Sequence, residues 1–311
     1  MSRRPPGAGD LGSRDVRATP GDHVLTLRDG RRLGYAVYGD PDGSPVLNCH
    51  GGLVSGHDVA PTDRLARSLG WYVISPDRPG IARTDRLPGH GVLPWVDADV
   101  VPLLDHLGVD RFAAMGWSEG GQYALATSVT LADRVTACAV IAGCVPLDDA
   151  EMLAQSNRVD RTFVLLARRL PPALWITSTS TRLLARWAPG VLVRSALDGE
   201  PEGEHAALYR QGSWFADILG EGSADAAGVV DEYRVIVAPW GFAPEDVTVP
   251  VGIFQGTADP VVPPAWGDTL AERIPGAELT VFPGEGHFIS VTRRREVLEW
   301  LGADGRRPAA D

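Results

Sequence analysis

The first candidate for chemistry is Ser118, at the centre of the segment Gly116-Trp117-Ser118-Glu119-Gly120. The residue pattern predicts a strand over Phe112 to Met115 and a helix from Glu119 to about Thr130. A serine in such a glycine-flanked turn is held in a strained conformation, and its hydroxyl stands at a helix N-terminus that favours negative charge. The spacing therefore predicts a nucleophilic serine, although a glycine-rich turn can also contain a serine by chance.

The candidate base is His287, within Gly284-Glu285-Gly286-His287-Phe288. A serine hydroxyl is a weak nucleophile until a base removes its proton. His287 follows the last predicted strand, Glu278 to Phe282, and a loop there can reach the C-terminal edge of the sheet. A histidine in a loop is often an ordinary surface residue, but this place in chain order is the one that the base of a serine triad takes.

A base of this kind needs a carboxylate that orients it, and Asp259 is the candidate. It immediately follows the predicted strand Val251 to Gln255. The order along the chain is then nucleophile, acid, base, with one helix and one strand predicted between the last two. Asp148 and Asp149, which follow the preceding strand, are the rival candidates.

Two backbone N–H groups are expected to bind the oxyanion, and one of them belongs to Glu119. The other is expected in His50-Gly51-Gly52, where Gly52 is the preferred donor and Leu53 the alternative. A glycine pair lets the backbone approach closely, although it also suits a plain tight turn. His50 would then brace the loop. The Glu119 side chain either points away along the helix or contacts the substrate.

Strands and helices alternate along most of the chain, which predicts a mostly parallel sheet with helices on both faces. A hairpin is predicted near the start, from His23 to Tyr38, with its turn at Asp29-Gly30. The alternation is interrupted between residues 145 and 248, where helical patterns dominate. We interpret this block as a helical cap over the sheet.

The cap region is rich in aromatic residues, which suit an apolar or ring-containing ligand. Trp214 and Trp240 are the candidate substrate contacts from the cap, and Leu53 and Trp117 are the candidates from the core. The alternative for most cap aromatics is that they pack the cap onto the sheet.

Composition excludes several classes of protein. The 311 residues are 44% hydrophobic, enough for a large core, and the formal net charge is −11, so nothing global attracts nucleic acid or an anionic membrane. All 29 basic residues are arginine, which excludes Schiff-base chemistry on lysine. Three cysteines make no disulfide framework and no zinc-site spacing, so no metal site is predicted. No membrane span and no secretion signal are predicted, and a cytoplasmic location is expected by default.

Five motifs, in their order along the chain, resemble those of the α/β-hydrolase fold superfamily, in its capped serine-hydrolase (esterase/lactonase-like) branch. They are His50-Gly51-Gly52, Asp77-Arg78-Pro79-Gly80, Gly116 to Gly120, Gly256-Thr257-Ala258-Asp259 and Gly286-His287-Phe288. The resemblance implies an α/β fold with eight mostly parallel strands, helices on both faces, a helical cap after the sixth strand, and no cofactor. It also implies that Ser118 is the nucleophile, His287 the base and Asp259 its partner.

These observations together predict the domain organisation. The predicted parts are a disordered leader at 1–21, a core formed by 22–144 and 249–303, a cap at 145–248, and a polar, frayed tail at 304–311.

The expected function is hydrolysis of an apolar ester or lactone through an acyl-enzyme on Ser118. A serine at this position argues against the epoxide hydrolase and haloalkane dehalogenase branches, whose nucleophile is an aspartate. The alternatives are a lyase or cyclase that uses the same triad without hydrolysis, and a non-catalytic small-molecule receptor. The substrate and the oligomeric state stay open, and a homo-oligomer is possible.

Overall fold

The structure is a computed structural model that describes residues 18–303 and 306–308. Most of the predicted leader therefore lies outside the described residues, but its last residue, Gly21, already begins the first strand. The expectation of a frayed tail is wrong for Arg307, which donates to the Ser44 hydroxyl at 2.9 Å and to the Gly70 carbonyl at 2.6 Å. Its guanidinium also lies over the Trp71 ring, so this part of the tail is bound to the core.

An eight-stranded sheet forms the centre of the molecule, in the order β1-β2-β4-β3-β5-β6-β7-β8. The strands β1 and β2 form the predicted antiparallel hairpin, β2 is also antiparallel to β4, and all later pairs are parallel. The predicted fold class is thereby confirmed. The strands are β1 (Gly21–Thr26), β2 (Arg32–Gly39), β3 (Ser44–Cys49), β4 (Trp71–Pro76), β5 (Phe112–Trp117), β6 (Val135–Ile141), β7 (Val251–Gly256) and β8 (Glu278–Phe282).

The strands β3 to β7 are buried at every residue. Strands that are covered on both faces are continuously apolar rather than alternating, which explains the short hydrophobic runs in the sequence. Two apolar clusters lie against the two faces of the sheet. The helices of the core are α1 (Asp63–Ser68), α2 (Val92–Trp95), α3 (Val101–His106), α4 (Gly120–Thr130), and, after the cap, α12 (Ala265–Arg273), α13 (Ile289–Thr292) and α14 (Arg294–Leu301).

Between β6 and β7 the chain contains helices and no strand among its described residues. α7 is the longest of these helices, with 17 residues. The helices are α5 (Ala150–Gln155), α6 (Arg158–Arg169), α7 (Pro171–Trp187), α8 (Pro189–Ala196), α9 (Glu202–Tyr209), α10 (Trp214–Gly222) and α11 (Ala226–Val235). This is the region that the sequence analysis assigns to the cap, and the name cap is used for it below. Across the residues that the structure describes, no helix combines the length and the apolarity needed to cross a bilayer.

Candidate active site

Ser118 occupies a sharp turn between β5 and α4, with φ at +56°. This is the left-handed region, which costs energy for a residue with a side chain and is typical of functional sites. A Cβ added to Gly116 would lie 2.1 Å from the Gly120 carbonyl oxygen, and one added to Gly120 would lie 2.0 Å from that of Cys49. Both glycines are therefore required for the turn to close as the sequence pattern predicts.

His287 and Asp259 meet at the carboxyl ends of the strands. The Nδ1 atom of His287 lies 2.9 Å from Oδ2 of Asp259, and both residues are buried. The other oxygen, Oδ1, accepts the N–H groups of Val261 and Val262, each at 2.8 Å, so the carboxylate is fixed at both ends. The rival Asp149 instead accepts the N–H of Glu151 and caps the start of α5.

The electrostatics of His287 suit the role of a base that the sequence predicts for it. Burial lowers its pKa, but the charge and hydrogen bond of Asp259, together with the charges of Glu200 and Glu204, outweigh burial, so the pKa of His287 is raised. A base with a raised pKa accepts a proton more readily, and the hydrogen bond to Asp259 leaves Nε2 as the accepting nitrogen.

Ser118 and His287 line one cavity of about 470 Å³ between the core and the cap. Its wall includes apolar side chains from both parts of the molecule: Trp117 and Phe288 from the core, and Leu147, Phe163 and Phe215 from the cap. A cavity of this size accommodates a small organic molecule.

Two of the four predicted substrate contacts line this cavity. Leu53 and Trp117 are part of its wall, and Trp117 also donates its Nε1–H to the carbonyl of His287 at 2.9 Å. The prediction for Trp214 is wrong, because its Nε1–H donates to the carbonyl of His57 at 2.8 Å and the residue is not part of the cavity wall. Its neighbour Phe215 lines the cavity instead, since adjacent residues of a helix face different directions.

The prediction for Trp240 is also wrong. This side chain is 2% exposed, packs against Phe242 and belongs to the apolar core rather than to the cavity wall. A large aromatic residue stabilises a core as readily as it binds a ligand, and its type alone does not distinguish the two.

Gly52 and Glu119, the two predicted oxyanion donors, both lie at the cavity beside Ser118. The alternative donor Leu53 is not available, because its N–H already donates to Oε2 of Glu232 at 3.2 Å. Glu232 belongs to α11, so a side chain of the cap fixes the loop that carries Gly52.

Glu119 does not point away along its helix. Its carboxyl group is buried beside the loop of Gly52, and one oxygen lies 3.9 Å from the Arg78 guanidinium. The other oxygen, Oε1, has no hydrogen-bond partner among the described residues. Burial, with the nearby charge of Glu232, raises the pKa of Glu119 well above its usual range despite the opposing charge of Arg78. A carboxyl group that retains its proton opposes a developing oxyanion less than a carboxylate would.

A buried arginine joins these groups. Arg78 Nη2 lies 2.5 Å from Oε1 of Glu232 and 2.9 Å from the Gly51 carbonyl. The Arg78 backbone N–H donates to Nε2 of His50 at 3.0 Å, and burial lowers the pKa of His50 well below its usual value. His50 is therefore neutral and braces the loop. The sequence motif contained Arg78, but nothing local indicated that its partner would be Glu232.

Two further cap residues hold the loop of His287, and the sequence analysis missed both. Glu204 of α9 accepts the N–H of Gly286 at 2.6 Å and that of Phe288 at 2.9 Å. Glu200, just before α9, accepts the N–H of His287 itself at 2.9 Å. Three consecutive amides of the histidine loop are thus bound by cap carboxyl groups. In sequence these acids resemble an ordinary solvated helix face, so no local signal identified them.

The chain belongs to the α/β-hydrolase fold family, because that family's model matches residues 44–293. All five sequence motifs and the whole site lie within this range.

Several curated relatives are similar to the chain. Epoxide hydrolase A from Mycobacterium tuberculosis is 25% identical, over 89% of this chain and 95% of the relative. The putative carbamate hydrolase RutD from Caulobacter vibrioides is 25% identical, over 84% and 90%. Haloalkane dehalogenase 2 from Mycobacterium tuberculosis is 35% identical over 30% of this chain, and the match spans only 32% of that relative's length.

Solved structures share the fold at low sequence identity. An esterase from Exiguobacterium antarcticum superposes with a TM-score of 0.68 at 18% identity, covering 91% of this chain and 98% of that one. The enol-lactonase from Burkholderia xenovorans LB400 superposes with a TM-score of 0.65 at 19% identity, covering 90% and 100%.

Proposed function

We propose that this protein is a cofactor-independent serine hydrolase that cleaves a carboxylic ester or lactone of an apolar small molecule. The observation that carries the proposal is the bond of 2.9 Å between His287 and Asp259, in a cavity that also contains the strained Ser118. Binding alone requires no such arrangement, whereas acyl transfer requires nucleophile, base and orienting acid together.

The reaction follows from these roles. Ser118 attacks the carbonyl carbon while His287 takes the hydroxyl proton, and Asp259 stabilises the resulting imidazolium. The N–H groups of Gly52 and Glu119 bind the oxyanion. His287 then protonates the leaving alkoxide, and water activated by the same histidine attacks the acyl-enzyme and releases the acid.

The largely apolar cavity wall supports an apolar substrate, and the cap of residues 145–248 acts as the specificity element because it contributes most of that wall. The esterase and the enol-lactonase that share the fold are compatible with this class of substrate. The chemistry named for the epoxide hydrolase and haloalkane dehalogenase relatives uses an aspartate nucleophile, and this chain has Ser118 at that position.

A fluorophosphonate probe tests the proposal directly. We expect stoichiometric labelling of the wild-type protein, no labelling of Ser118→Ala, and a fall of about 10⁴-fold or more in kcat/KM on p-nitrophenyl esters. Ser195→Ala, which removes another serine of the cavity wall, is the matched control and should label normally.

Two outcomes would count against the proposal. Absence of labelling in folded protein would exclude an activated serine. Turnover without incorporation of oxygen from labelled water would indicate a lyase or cyclase.

A further inference from the structure

The outer surface of the cap exposes an unusual number of large apolar side chains. Most water-soluble proteins expose few large apolar side chains in any one part of the molecule, so a concentration of them indicates an interaction site. Among the described residues outside 159–191, only Val24, Tyr209 and Val281 are also large apolar side chains that are exposed. The nine residues of the patch are Val159, Leu165, Leu170, Trp175, Ile176, Leu183, Leu184, Trp187 and Val191.

The helix α7 forms the centre of this surface. Its buried residues, Leu174 and Ser178, lie one turn apart and face the molecule. Ile176, Leu183 and Trp187 are spaced by seven and four residues, so they share the opposite face of the helix. Ile176 is 71% exposed and Trp187 is 74% exposed. With 17 residues the helix is about 25 Å long, and this apolar stripe covers about 17 Å of it.

The same region carries a strong positive charge within an acidic protein. Residues 156–197 contain seven arginines and one acidic residue, Asp160, which gives a net charge of +6 against −11 for the whole chain. Asp160 is bonded to Asn157 and Tyr233 and lies in the cavity wall. All seven arginines are exposed, and none forms an ion pair within residues 18–303 and 306–308. They are Arg158, Arg161, Arg168, Arg169, Arg182, Arg186 and Arg194.

The combination of arginine, tryptophan and aliphatic side chains on exposed helices is that of segments that lie in the surface of an anionic bilayer. We propose that the outer face of α6, α7 and α8 docks onto an anionic phospholipid membrane. A second copy of the chain fits less well. Two caps face to face would bring +6 against +6, and a cap against the acidic remainder of another copy would be a head-to-tail contact, which gives a ring or an open filament rather than the common two-fold dimer.

The docking face adjoins the cavity, because the same three helices contribute to both. Val159 lines the cavity and is also exposed on the outer surface, and Thr177, Thr181 and Leu192 line the cavity from α7 and α8. A membrane against this face would therefore lie beside the cavity that takes an apolar molecule. The proposal goes beyond the proposed hydrolysis, because membrane binding requires no turnover.

Co-sedimentation of the full chain with vesicles tests the proposal. We expect binding to vesicles of phosphatidylcholine with 30% phosphatidylglycerol, and at least about tenfold weaker binding to pure phosphatidylcholine. Binding should weaken as salt is raised, because screening shortens the range of the arginine charges. Ser118→Ala should bind as the wild type does, so the result is independent of catalysis.

Variants of the docking face separate specific binding from adsorption. Arg182→Gln with Arg186→Gln should weaken binding about twentyfold, since each cation near an anionic surface contributes about a fivefold factor. Ile176→Ser with Trp187→Ser should weaken it by a similar factor or more. The matched controls are Arg64→Gln with Arg111→Gln, two exposed arginines of the core, and Val24→Ser.

Three results would overturn the proposal. The first is an absence of binding to the anionic vesicles. The second is binding that the control variants weaken as much as the cap variants do. The third is a dimer in size-exclusion chromatography that Trp187→Ser dissociates, because the face would then be an interface between copies.

Discussion

The two sides of the cap use charge in opposite ways. On the side that faces the core, Glu200, Glu204 and Glu232 are buried and each accepts backbone N–H groups from the loops around the candidate active site. On the outer side, exposed arginines such as Arg182 and Arg186 have no ion-pair partner among the described residues.

The difference shows what burial demands of a charged group. A carboxylate that is removed from water must receive hydrogen bonds, so the inner acids have fixed positions and fix the loops in turn. An exposed guanidinium is solvated and is free to meet a partner. The inner side therefore contributes to stability and geometry, and the outer side contributes to association.

The largest effect is expected for Glu232→Gln. The substitution removes the charge of the nearer ion-pair partner of the buried Arg78 cation and leaves the carboxyl group of Glu119, 3.9 Å away. It also weakens the hydrogen bond that the N–H of Leu53 donates to residue 232. Breaking a buried ion pair by removing one partner costs about 3–5 kcal/mol. Urea unfolding should report a loss of this order, while Glu202→Gln, an exposed acid of the cap, should change little. A loss below about 1 kcal/mol would contradict the role that we assign to the inner side.

A smaller effect is expected for Glu204→Gln. One of the two amides of Gly286 and Phe288 then faces an NH₂ group instead of an oxygen, which costs about 1–3 kcal/mol. Because these amides flank His287, the rate of fluorophosphonate labelling of Ser118 should fall about tenfold as well. The labelling rate reports the position of the histidine, and Glu202→Gln is again the control. A loss of stability at an unchanged labelling rate would show that Glu204 does not position His287.

Glu200 should make stability depend on pH. Burial raises its pKa to about 8, so the folded state retains the proton over a range in which the unfolded chain, with an ordinary pKa near 4.5, has released it. This contribution is complete below pH 4.5 and decreases as the pH rises to about 8.

The variant Glu200→Gln carries no such proton. Its melting temperature should match that of the wild type near pH 5 and exceed it at pH 9 by about 2–4 °C, which for a chain of this length corresponds to about 1–3 kcal/mol. Parallel melting curves for the two proteins across this range would contradict the prediction.

The smallest effect on the fold is expected on the outer side. Arg182→Gln with Arg186→Gln should change the free energy of unfolding by less than about 0.5 kcal/mol, because neither guanidinium has an ion-pair partner in the described part of the chain. Hydrolysis of a water-soluble ester should be unchanged too. A loss of several kcal/mol would show that the two sides of the cap do not differ as described.

Much of the molecule could be predicted from local sequence. The strands are short apolar runs, and Ser118 lies in a turn whose glycines are two residues before and two residues after it. Asp259 lies three residues after the end of β7 and His287 five residues after the end of β8, so the parallel sheet brings them to one edge. Each of these signals lies within a few residues of the feature that it predicts.

The two wrong predictions of substrate contacts concern residues whose type suits a ligand site. The sequence did not indicate which way their side chains point. Trp214 and Phe215 are adjacent aromatic residues of one helix, and only the packing of α10 decides which of them faces the cavity. Trp240 could equally bind a ligand or fill a core, and its place in the core follows from the elements that cover it.

The sequence by itself determined the fold class, the turn at Ser118 and the order of the candidate triad, because these depend on neighbours along the chain. Only the tertiary structure decided that side chains of the cap hydrogen-bond to the loops of the candidate active site. Glu204 is 82 residues from Gly286, and Glu232 is 179 residues from Leu53. A hydrogen bond between residues so far apart leaves no local pattern, because its partners are chosen by the packing of the cap on the sheet.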